Sequence, residues 1–330
     1  VRWNTFASVS AGWAISEEKF FEGIKNIIQL AKIRASYGTQ GNDNTGQDFP
    51  YLSQLSAVQP SGMMPIGNLP ITGFRHTIAA NYYVTWESAE KRNLGLDLAL
   101  LNQRLSFSGE LFVNQTNGLL INPILPSVFG YRTNFPPENA GKIENRGWEV
   151  QVGWRDQVKD FKYGINANLS DVRNKVVEMG NHAANPGTQV RFEGYPLNAF
   201  YGLISEGLAQ EADFDYNPTT GRYTALFPVY TGEPTAPGDI RYKDLDGSGV
   251  ISDDDRQVIG SNIPRYTFGF RGDMQYKNID FSFFLQGVGK ADGYIAGPGR
   301  HAFTTVSDRV PQTIHLDRWT PDNPNASYPR

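Results

Sequence analysis

Residues 148–170 read WEVQVGWRDQVKDFKYGINANLS, with apolar and polar side chains alternating on both sides of a short polar turn. In the first half every even-numbered residue from Trp148 to Trp154 is apolar, and in the second half every odd-numbered residue from Phe161 to Leu169 is apolar. Because successive side chains of a strand point to opposite faces, each half is predicted to be a strand with one apolar and one polar face. The stretch therefore predicts an antiparallel hairpin.

Two further pairs of segments repeat this pattern. Residues 94–100 and 105–113 alternate on either side of the turn 102–104, and residues 266–276 and 279–285 alternate around Lys277 and Asn278. Strands are also predicted at residues 1–13, 31–38 and 195–204, which makes about ten in total. Ser16 is predicted to cap a short amphipathic helix over residues 16–28, at the turn between the first two strands.

The connections between strands fall into two classes that alternate along the chain. The helix and the short turns alternate with long polar segments at residues 40–83, 114–146, 171–191 and 211–264. Short turns at one end and long loops at the other are typical of an antiparallel transmembrane β-barrel, whose short turns face the periplasm and whose long loops face outside. A soluble β-sandwich has no reason to keep this alternation, and it remains the alternative architecture.

Composition agrees with a barrel and argues against other classes. The chain has 330 residues, of which 39% are hydrophobic and 13% aromatic. No run of about 18 apolar residues is present, so a helical membrane span is excluded. The net charge of -4 provides no basic surface for a nucleic acid. The absence of cysteine excludes disulfides and thiolate metal sites.

The two ends of the sequence bear on its extent. Residues 1–13 already alternate as a strand, and residues 321–330 are rich in Pro and Asn with no closing strand. An open barrel would leave unpaired sheet edges in lipid, where unpaired backbone groups are not tolerated. We therefore expect residues 1–330 to be part of a longer protein.

Several blocks of sequence, in this order, resemble the SusC/RagA family of TonB-dependent outer-membrane transporters. Each block is weak alone, and together they cover most of the chain. The blocks are EEKFF (17–21), KIRASYG (32–38), TWES (85–88), NLGLD (93–97), NAGKIENRGWE (139–149), PGDIRYKD (237–244) and DRWTP (317–321).

The resemblance implies a fold and a set of partners. Residues 1–330 would be the C-terminal portion of the β-barrel, with the plug domain and the remaining strands outside this chain. The family implies import of nutrients, either oligosaccharides or peptides, across the outer membrane of a Gram-negative bacterium. It also implies a SusD-like surface lipoprotein at the outer mouth, and coupling to TonB through the N-terminal region.

One segment carries the ligand spacing of a cation site. Residues 244–255, DLDGSGVISDDD, fit the EF-hand loop position by position. The loop predicts a structural Ca²⁺, with Mg²⁺ as the alternative, and an empty Asp- and Gly-rich turn is the competing interpretation. Position 12 is an aspartate where glutamate is usual, which favours weak binding. The predicted ligands are Asp244, Asp246, Ser248, the Val250 carbonyl, Ser252 and Asp255.

Other candidate groups support no enzyme. The histidines at 76, 182, 301 and 315 have no zinc spacing, and no nucleophile elbow, phosphate loop or dinucleotide motif is present. Aromatic residues of the long segments could stack on a ligand or pack the loop against itself or a partner. These residues are Tyr201, Phe214, Tyr216, Tyr223, Phe227 and Tyr230.

The sequence thus supports two functions from different classes. The first is nutrient import through an outer-membrane barrel in contact with lipid, and this is the preferred hypothesis. The second is a soluble, calcium-clipped β-sandwich that binds glycans. The first predicts a β-sheet whose apolar face meets lipid, whereas the second predicts folding in water without detergent.

Overall fold

The computed structural model describes residues 3–44, 52–57, 64–66, 69–71, 74–78, 80–121, 137–180, 189–232, 234–295 and 312–330. Its described helices are all short 3-10 helices, at Ile15–Glu17, Lys19–Ile24, Glu211–Asp213, Asp253–Asp255 and Thr313–Leu316. In chain order the strands are β1 (Ser8–Ala14), β2 (Ile28–Asn42), β3 (Gln54–Ala57), β4 (Met64–Ile66), β5 (Leu69–Ile71), β6 (Phe74–Ile78), β7 (Glu87–Leu100), β8 (Leu105–Ile121), β9 (Glu138–Val158), β10 (Phe161–Glu178), β11 (Gln189–Val190), β12 (Ala199–Gly202), β13 (Ser205–Leu208), β14 (Phe214–Asn217), β15 (Arg222–Ala225), β16 (Ile240–Tyr242), β17 (Gln257–Gly260), β18 (Arg265–Tyr276) and β19 (Ile279–Lys290).

The main element is an antiparallel sheet of eight long strands in the order β1-β2-β7-β8-β9-β10-β18-β19. Each strand pairs with the next strand of the sheet along the chain, so the sheet is a meander interrupted by long connections. The three predicted hairpins are confirmed: Leu100 pairs with Leu105, Val158 with Phe161, and Tyr276 with Ile279. One open sheet of this kind agrees with a β-barrel portion and not with a sandwich.

The two classes of connection lie at opposite ends of the sheet. Antiparallel order places the β1–β2, β7–β8, β9–β10 and β18–β19 connections at one end, and the three long connections at the other. The tight turns need left-handed backbone, which Lys159 and Lys277 adopt with a φ of 54° each. The predicted asymmetry between short turns and long loops is thereby confirmed.

The sheet has fewer strands than the sequence suggested. Eight strands belong to it, where about ten were predicted. The predicted strand over residues 195–204 is one difference, because only Ala199–Gly202 is extended and it pairs in a separate three-stranded sheet. The preceding residues instead bond to β10, through Val176 N–H to the Tyr195 carbonyl at 2.8 Å.

The predicted helix over residues 16–28 has a different geometry. Two 3-10 helices occupy residues 15–17 and 19–24, and Glu18 between them is extended, with φ -79° and ψ 146°. This extended residue stops the i to i−4 hydrogen bonds that an α-helix needs. Ser16 does not cap a helix, because it lies within the first 3-10 helix and is buried.

Contacts divide the chain into two units. The first, residues 1–185, 191–197 and 263–291, contains the eight-stranded sheet. On the side of the long connections, strands β8, β9 and β10 extend past the first residue of β18 and form a three-stranded extension. This extension supports a small core. That core consists of Ile121, Val176 and Met179, with Leu119, Ala140 and Leu197 packed against it.

The second unit comprises residues 186–190, 198–262 and 292–330. It consists of short strands: β11-β12-β17 form one sheet, β13-β16 a second and β14-β15 a third. The long segment 211–264, predicted as a loop, therefore supplies much of a small folded unit.

Candidate functional site

The eight-stranded sheet has two chemically different faces, which we call the apolar face and the polar face. The apolar face is largely uncovered: Leu111 is 59% exposed, Phe268 45% and Leu285 59%. Soluble proteins rarely leave such a continuous apolar surface open to water. Among the described residues no helix is both long and apolar enough to cross a membrane. The apolar face is the surface that requires an explanation.

The polar face carries an ion cluster that links three neighbouring strands. Arg34 on β2 forms ion pairs with Asp97 on β7, at 3.2 Å, and with Glu110 on β8. Ser108 donates a hydrogen bond to Asp97 at 2.8 Å. Gly95 makes this possible, because a Cβ there would lie 2.5 Å from the Arg34 guanidinium carbon. Opposed charges on one face of the sheet hold the strands in register.

A cavity of about 740 Å³ lies against the sheet near its short-turn end. The predicted polar-face residues Lys162, Asn166, Asp273 and Gln275 all line it, so the structure brings them together. Arg271, also predicted for this face, pairs with Asp273 at 2.8 Å. This wall of charged and amide side chains can hydrogen-bond water or a polar solute.

The predicted cation loop brings three of its six proposed ligands together. Carboxylate oxygens of Asp244, Asp246 and Asp255 lie within 4.8 Å of one another. Gly247 and Gly249 take left-handed φ angles of 73° and 81°, which wraps the loop around these carboxylates. Asp255 is fully buried, whereas Asp246 is exposed. Three converging carboxylates are the donor set that Ca²⁺ and Mg²⁺ prefer.

Backbone donors hold the carboxylates in the cluster. Asp255 accepts hydrogen bonds from the Leu245 and Ser252 N–H groups at 2.7 and 2.8 Å. These bonds, that of Ser252 first, hold the pKa of the Asp255 carboxyl below its usual range. The Ser248 N–H lowers the pKa of Asp246 in the same way. The carboxylates of Asp246 and Asp255 are therefore charged at neutral pH, as cation binding requires.

The other three proposed ligands have partners of their own. The Ser248 hydroxyl donates to the Val250 carbonyl at 3.0 Å. The Ser252 hydroxyl accepts the Asp254 N–H at 3.1 Å and so caps the 3-10 helix Asp253–Asp255. The oxygen atoms of these groups can each accept a second interaction. The residues present thus fit a hard cation, with the carboxylates as its primary ligands.

Several of the remaining candidates pack against other side chains. Phe214 contacts Tyr223 and Phe227 edge to face at 5.7 and 5.5 Å, and Tyr216 contacts Tyr223 at 4.9 Å. These aromatic residues pack the second unit against itself. His315 is buried against Tyr328 at 4.9 Å. The side chains of His76, His182 and His301 lie outside the described residues.

Two blocks that carry the family resemblance meet in the second unit. Gly238, with φ 92°, lies against the ring of Trp319, where a Cβ would come within 2.5 Å. Trp319 donates its indole N–H to Gln210 at 3.1 Å, and Arg330 pairs with Asp239 at 2.7 Å. The motifs therefore encode packing of this unit.

A third block contains a residue whose role the sequence did not reveal. Asn139 accepts the Thr85 N–H at 2.8 Å and donates to the carbonyls of Thr85 and Gly118 at 3.0 and 2.8 Å. It thereby ties residue 85 and strand β8 to strand β9. The Arg34 cluster was also missed, although its three charges alternate with apolar residues and so lie on the predicted polar face.

Comparison with known proteins identifies the family to which the chain is similar. The family described as "TonB dependent receptor-like, beta-barrel" matches residues 1–320. TonB-dependent receptor P3 of Formosa agariphila is 31% identical over 340 residues, covering 98% of this chain and 32% of the relative. TonB-dependent receptor SusC of Bacteroides thetaiotaomicron is 27% identical over 301 residues, covering 86% of this chain and 27% of SusC.

Solved structures agree on the fold. The structure of the RagAB peptide transporter superposes with a TM-score of 0.72 at 22% identity, over 98% of this chain and 34% of that one. The chain spans about a third of the length of the relatives it matches. The extent of the family match, together with the eight-stranded sheet and its uncovered apolar face, shows that the chain belongs to the TonB-dependent receptor β-barrel family.

Proposed function

We propose that residues 1–330 form the C-terminal portion of a transmembrane β-barrel in the outer membrane of a Gram-negative bacterium, and that the whole protein imports nutrients. The uncovered apolar face is the observation that carries this proposal. Side chains such as Leu111 and Phe268 are stable when exposed only if the surrounding medium is itself apolar. Because the chain belongs to a family of outer-membrane receptor barrels, we infer that this medium is a lipid bilayer.

The polar face fits the inner wall of such a barrel. Alternation along each strand gives the two faces different environments, with polar residues toward the lumen. The cavity bounded by Lys162, Asn166 and Asp273 would then border the path of a solute. The two edges of the eight-stranded sheet, β1 and β19, would pair with further strands of the same barrel, since an unpaired edge is costly in lipid.

The partners follow from the family and are part of the proposal. We infer coupling to TonB through a plug and an N-terminal region, and capture of substrate with a SusD-like surface lipoprotein. The relative SusC and the structurally similar RagAB support this arrangement, and RagAB is described as a peptide transporter. Oligosaccharides and peptides are both retained as substrate classes for this chain.

Uptake measurements test the import proposal. Cells that express the full-length protein should accumulate a labelled oligosaccharide or peptide pool, and cells that lack TonB should not. Equal uptake in both strains would contradict energy coupling. Recovery of the folded full-length protein from the aqueous fraction without detergent would instead favour the soluble glycan-binding alternative.

We also propose a structural cation, Ca²⁺ before Mg²⁺, in the loop 244–255. The converging carboxylates of Asp244, Asp246 and Asp255 support it. A cation there would neutralise clustered acids and fix a long segment that connects β10 to β18. Extracellular sites of this class bind with a Kd of about 10⁻⁴–10⁻³ M. In this proposal the ion holds the loop and takes no part in chemistry.

A further inference from the structure

On β7 and β9 the apolar face ends at the same level, on the side of the long connections, whereas on β10 it ends one row earlier and on β8 Val113 lies one row further out. The last apolar row contains Leu94, Leu111 and Trp148, which face one another on β7, β8 and β9. The same row on β10 contains Asp171, opposite Trp148. Trp is a side chain that marks the interface between lipid and water. This row is therefore the upper limit of the apolar face.

The next row outward is basic. Arg92 pairs with Val113, Val113 with Arg146, and Arg146 with Arg173, so three arginines lie in one row across four strands, with Val113 between the first two. With strands about 4.8 Å apart, the row spans about 15 Å. The three side chains are 61%, 68% and 73% exposed. Each arginine lies two residues along its strand from a member of the last apolar row, so all three are on the apolar face of the sheet.

Acidic neighbours only partly offset this charge. Arg92 pairs with Glu90 at 2.5 Å, and Arg146 with Glu144 at 2.6 Å. Arg173 lies 3.9 Å from Asp171, whose two oxygens are already bonded by Arg265. The second outward row adds the exposed Lys175 opposite Glu144. The two rows together contain four basic side chains and two acidic ones.

The pairing also leaves hydrogen-bond donors available. Each guanidinium has five N–H donors, and the bonds of Arg92 to Glu90 use its Nε and one terminal nitrogen. Directly opposed arginines such as Arg146 and Arg173 repel each other, so an anion between them would relieve the repulsion. Guanidinium groups bind phosphate with two parallel hydrogen bonds.

We propose that Arg92, Arg146, Arg173 and Lys175 form a binding site for the phosphate groups of a lipid headgroup in the outer leaflet. This inference rests on the proposed function, since it requires the apolar face to lie in a bilayer with the long connections outside. The position just beyond the last apolar row is where headgroup phosphates meet a membrane protein. Basic residues near an anionic membrane surface each strengthen its attraction.

Lipid binding by the purified full-length protein tests the site. The probes are diphosphoryl lipid A and its fully dephosphorylated form, each offered in phosphatidylcholine nanodiscs, with bound lipid counted by native mass spectrometry. We expect the wild-type protein to retain only the phosphorylated form. Each arginine contributes about fivefold, so R92Q/R146Q/R173Q should weaken retention by about a hundredfold.

A matched variant separates local from general charge effects. R104Q/K162Q/R271Q also removes three positive charges, but from the opposite end and the polar face, and it should retain lipid as the wild type does. Equal loss in both triple variants, or equal retention of the dephosphorylated lipid by the wild type, would overturn the proposal. So would displacement by millimolar inorganic phosphate, which would assign the site to a free anion.

The outcomes also distinguish this inference from the function on which it rests. A protein that fails to enter nanodiscs contradicts the barrel itself. One that enters them with native strand content by circular dichroism, and shows no preference for phosphate, contradicts only the headgroup site. The same spectrum establishes that each variant is folded before its lipid is counted.

Discussion

At the scale of single residues, the free-energy cost of a charged substitution depends on which face of the sheet it enters. Phe270 lies on the apolar face of β18, midway between Tyr266 and Tyr276 at the ends of that strand. Thr267 lies three residues away on the polar face, where its hydroxyl is 2.6 Å from that of Ser170. The two positions allow the same charge to be placed in lipid or in water.

Phe270→Arg should destabilise the folded protein by about 2–4 kcal/mol, the cost of an arginine near the middle of a bilayer. Thr267→Arg should cost much less, because its side chain stays with other polar groups. Equilibrium unfolding of the full-length protein in lipid bilayers measures both. Similar losses at the two positions would mean that the apolar face does not contact lipid.

Glycines offer a second test at this scale, through Gly238 and Gly232. Both have left-handed backbone, with φ of 92° and 85°, but only Gly238 has a neighbour, Trp319, where a Cβ would lie. Gly232→Ala should cost about 1–2 kcal/mol from backbone strain alone. Gly238→Ala should add a steric clash and expose the second unit to protease markedly faster than Gly232→Ala does.

At the scale of elements, the strands were predictable because a period of two residues is a local property. Trp148 to Trp154 shows its apolar parity without reference to any other segment, and the hairpins follow from adjacent alternating segments. The packing of Gly238 on Trp319 and the reach of Asn139 to Gly118 depend on residues far apart in the chain. No local sequence pattern predicts such contacts.

The prediction of one helix over residues 16–28 was wrong for a related reason. The spacing of Phe20, Phe21 and Ile24 suits a helix, yet the extended Glu18 interrupts it. Periodicity records which side chains share a face, and a pair of 3-10 helices can satisfy it as well as one α-helix. The loop 244–255, in contrast, was predictable in its carboxylates because EF-hand spacing is itself local.

The cation loop should respond to one acid and not to its neighbour. Asp244→Ala removes a member of the carboxylate cluster, and Asp254→Ala removes an exposed acid of the same loop outside the cluster. With millimolar Ca²⁺ present, only Asp244→Ala should speed amide hydrogen exchange over residues 244–255, and the barrel strands should be unchanged. Identical exchange in the two variants would contradict cation binding there.

Acid should loosen the same loop. Because the folded pKa of Asp255 lies below its ordinary value of about 3.9, its stabilising effect is complete above that value and is lost as pH falls through the lower folded pKa. The protection of the Leu245 and Ser252 amides against hydrogen exchange, relative to an unfolded peptide at the same pH, should therefore fall below about pH 4. Asp255→Asn should remove most of this pH dependence. If this protection is insensitive to acid, the carboxylate is not what holds the loop.

At the scale of the whole molecule, the proposed topology places the two classes of connection on opposite sides of the outer membrane. Residue 278 lies in a short turn and residue 234 in the long segment between β10 and β18. Residues 1–330 contain no cysteine, so an introduced thiol is the only one in this part of the protein, and the unsubstituted full-length protein serves as the labelling control. Pro234→Cys should react with a membrane-impermeant maleimide on intact cells, whereas Asn278→Cys should react only after lysis. The reverse result would invert the topology.

Strands β10 and β18 pair directly from Phe161 with Tyr276 to Ser170 with Thr267, although more than eighty residues separate their facing ends. Continuity of the sheet therefore does not depend on what is inserted between them. The segment between β10 and β18 can therefore change in length or sequence while the pairing of the two strands stays the same. Chimeras that exchange the segment between Glu178 and Arg265 with that of a relative should therefore keep the eight-stranded sheet.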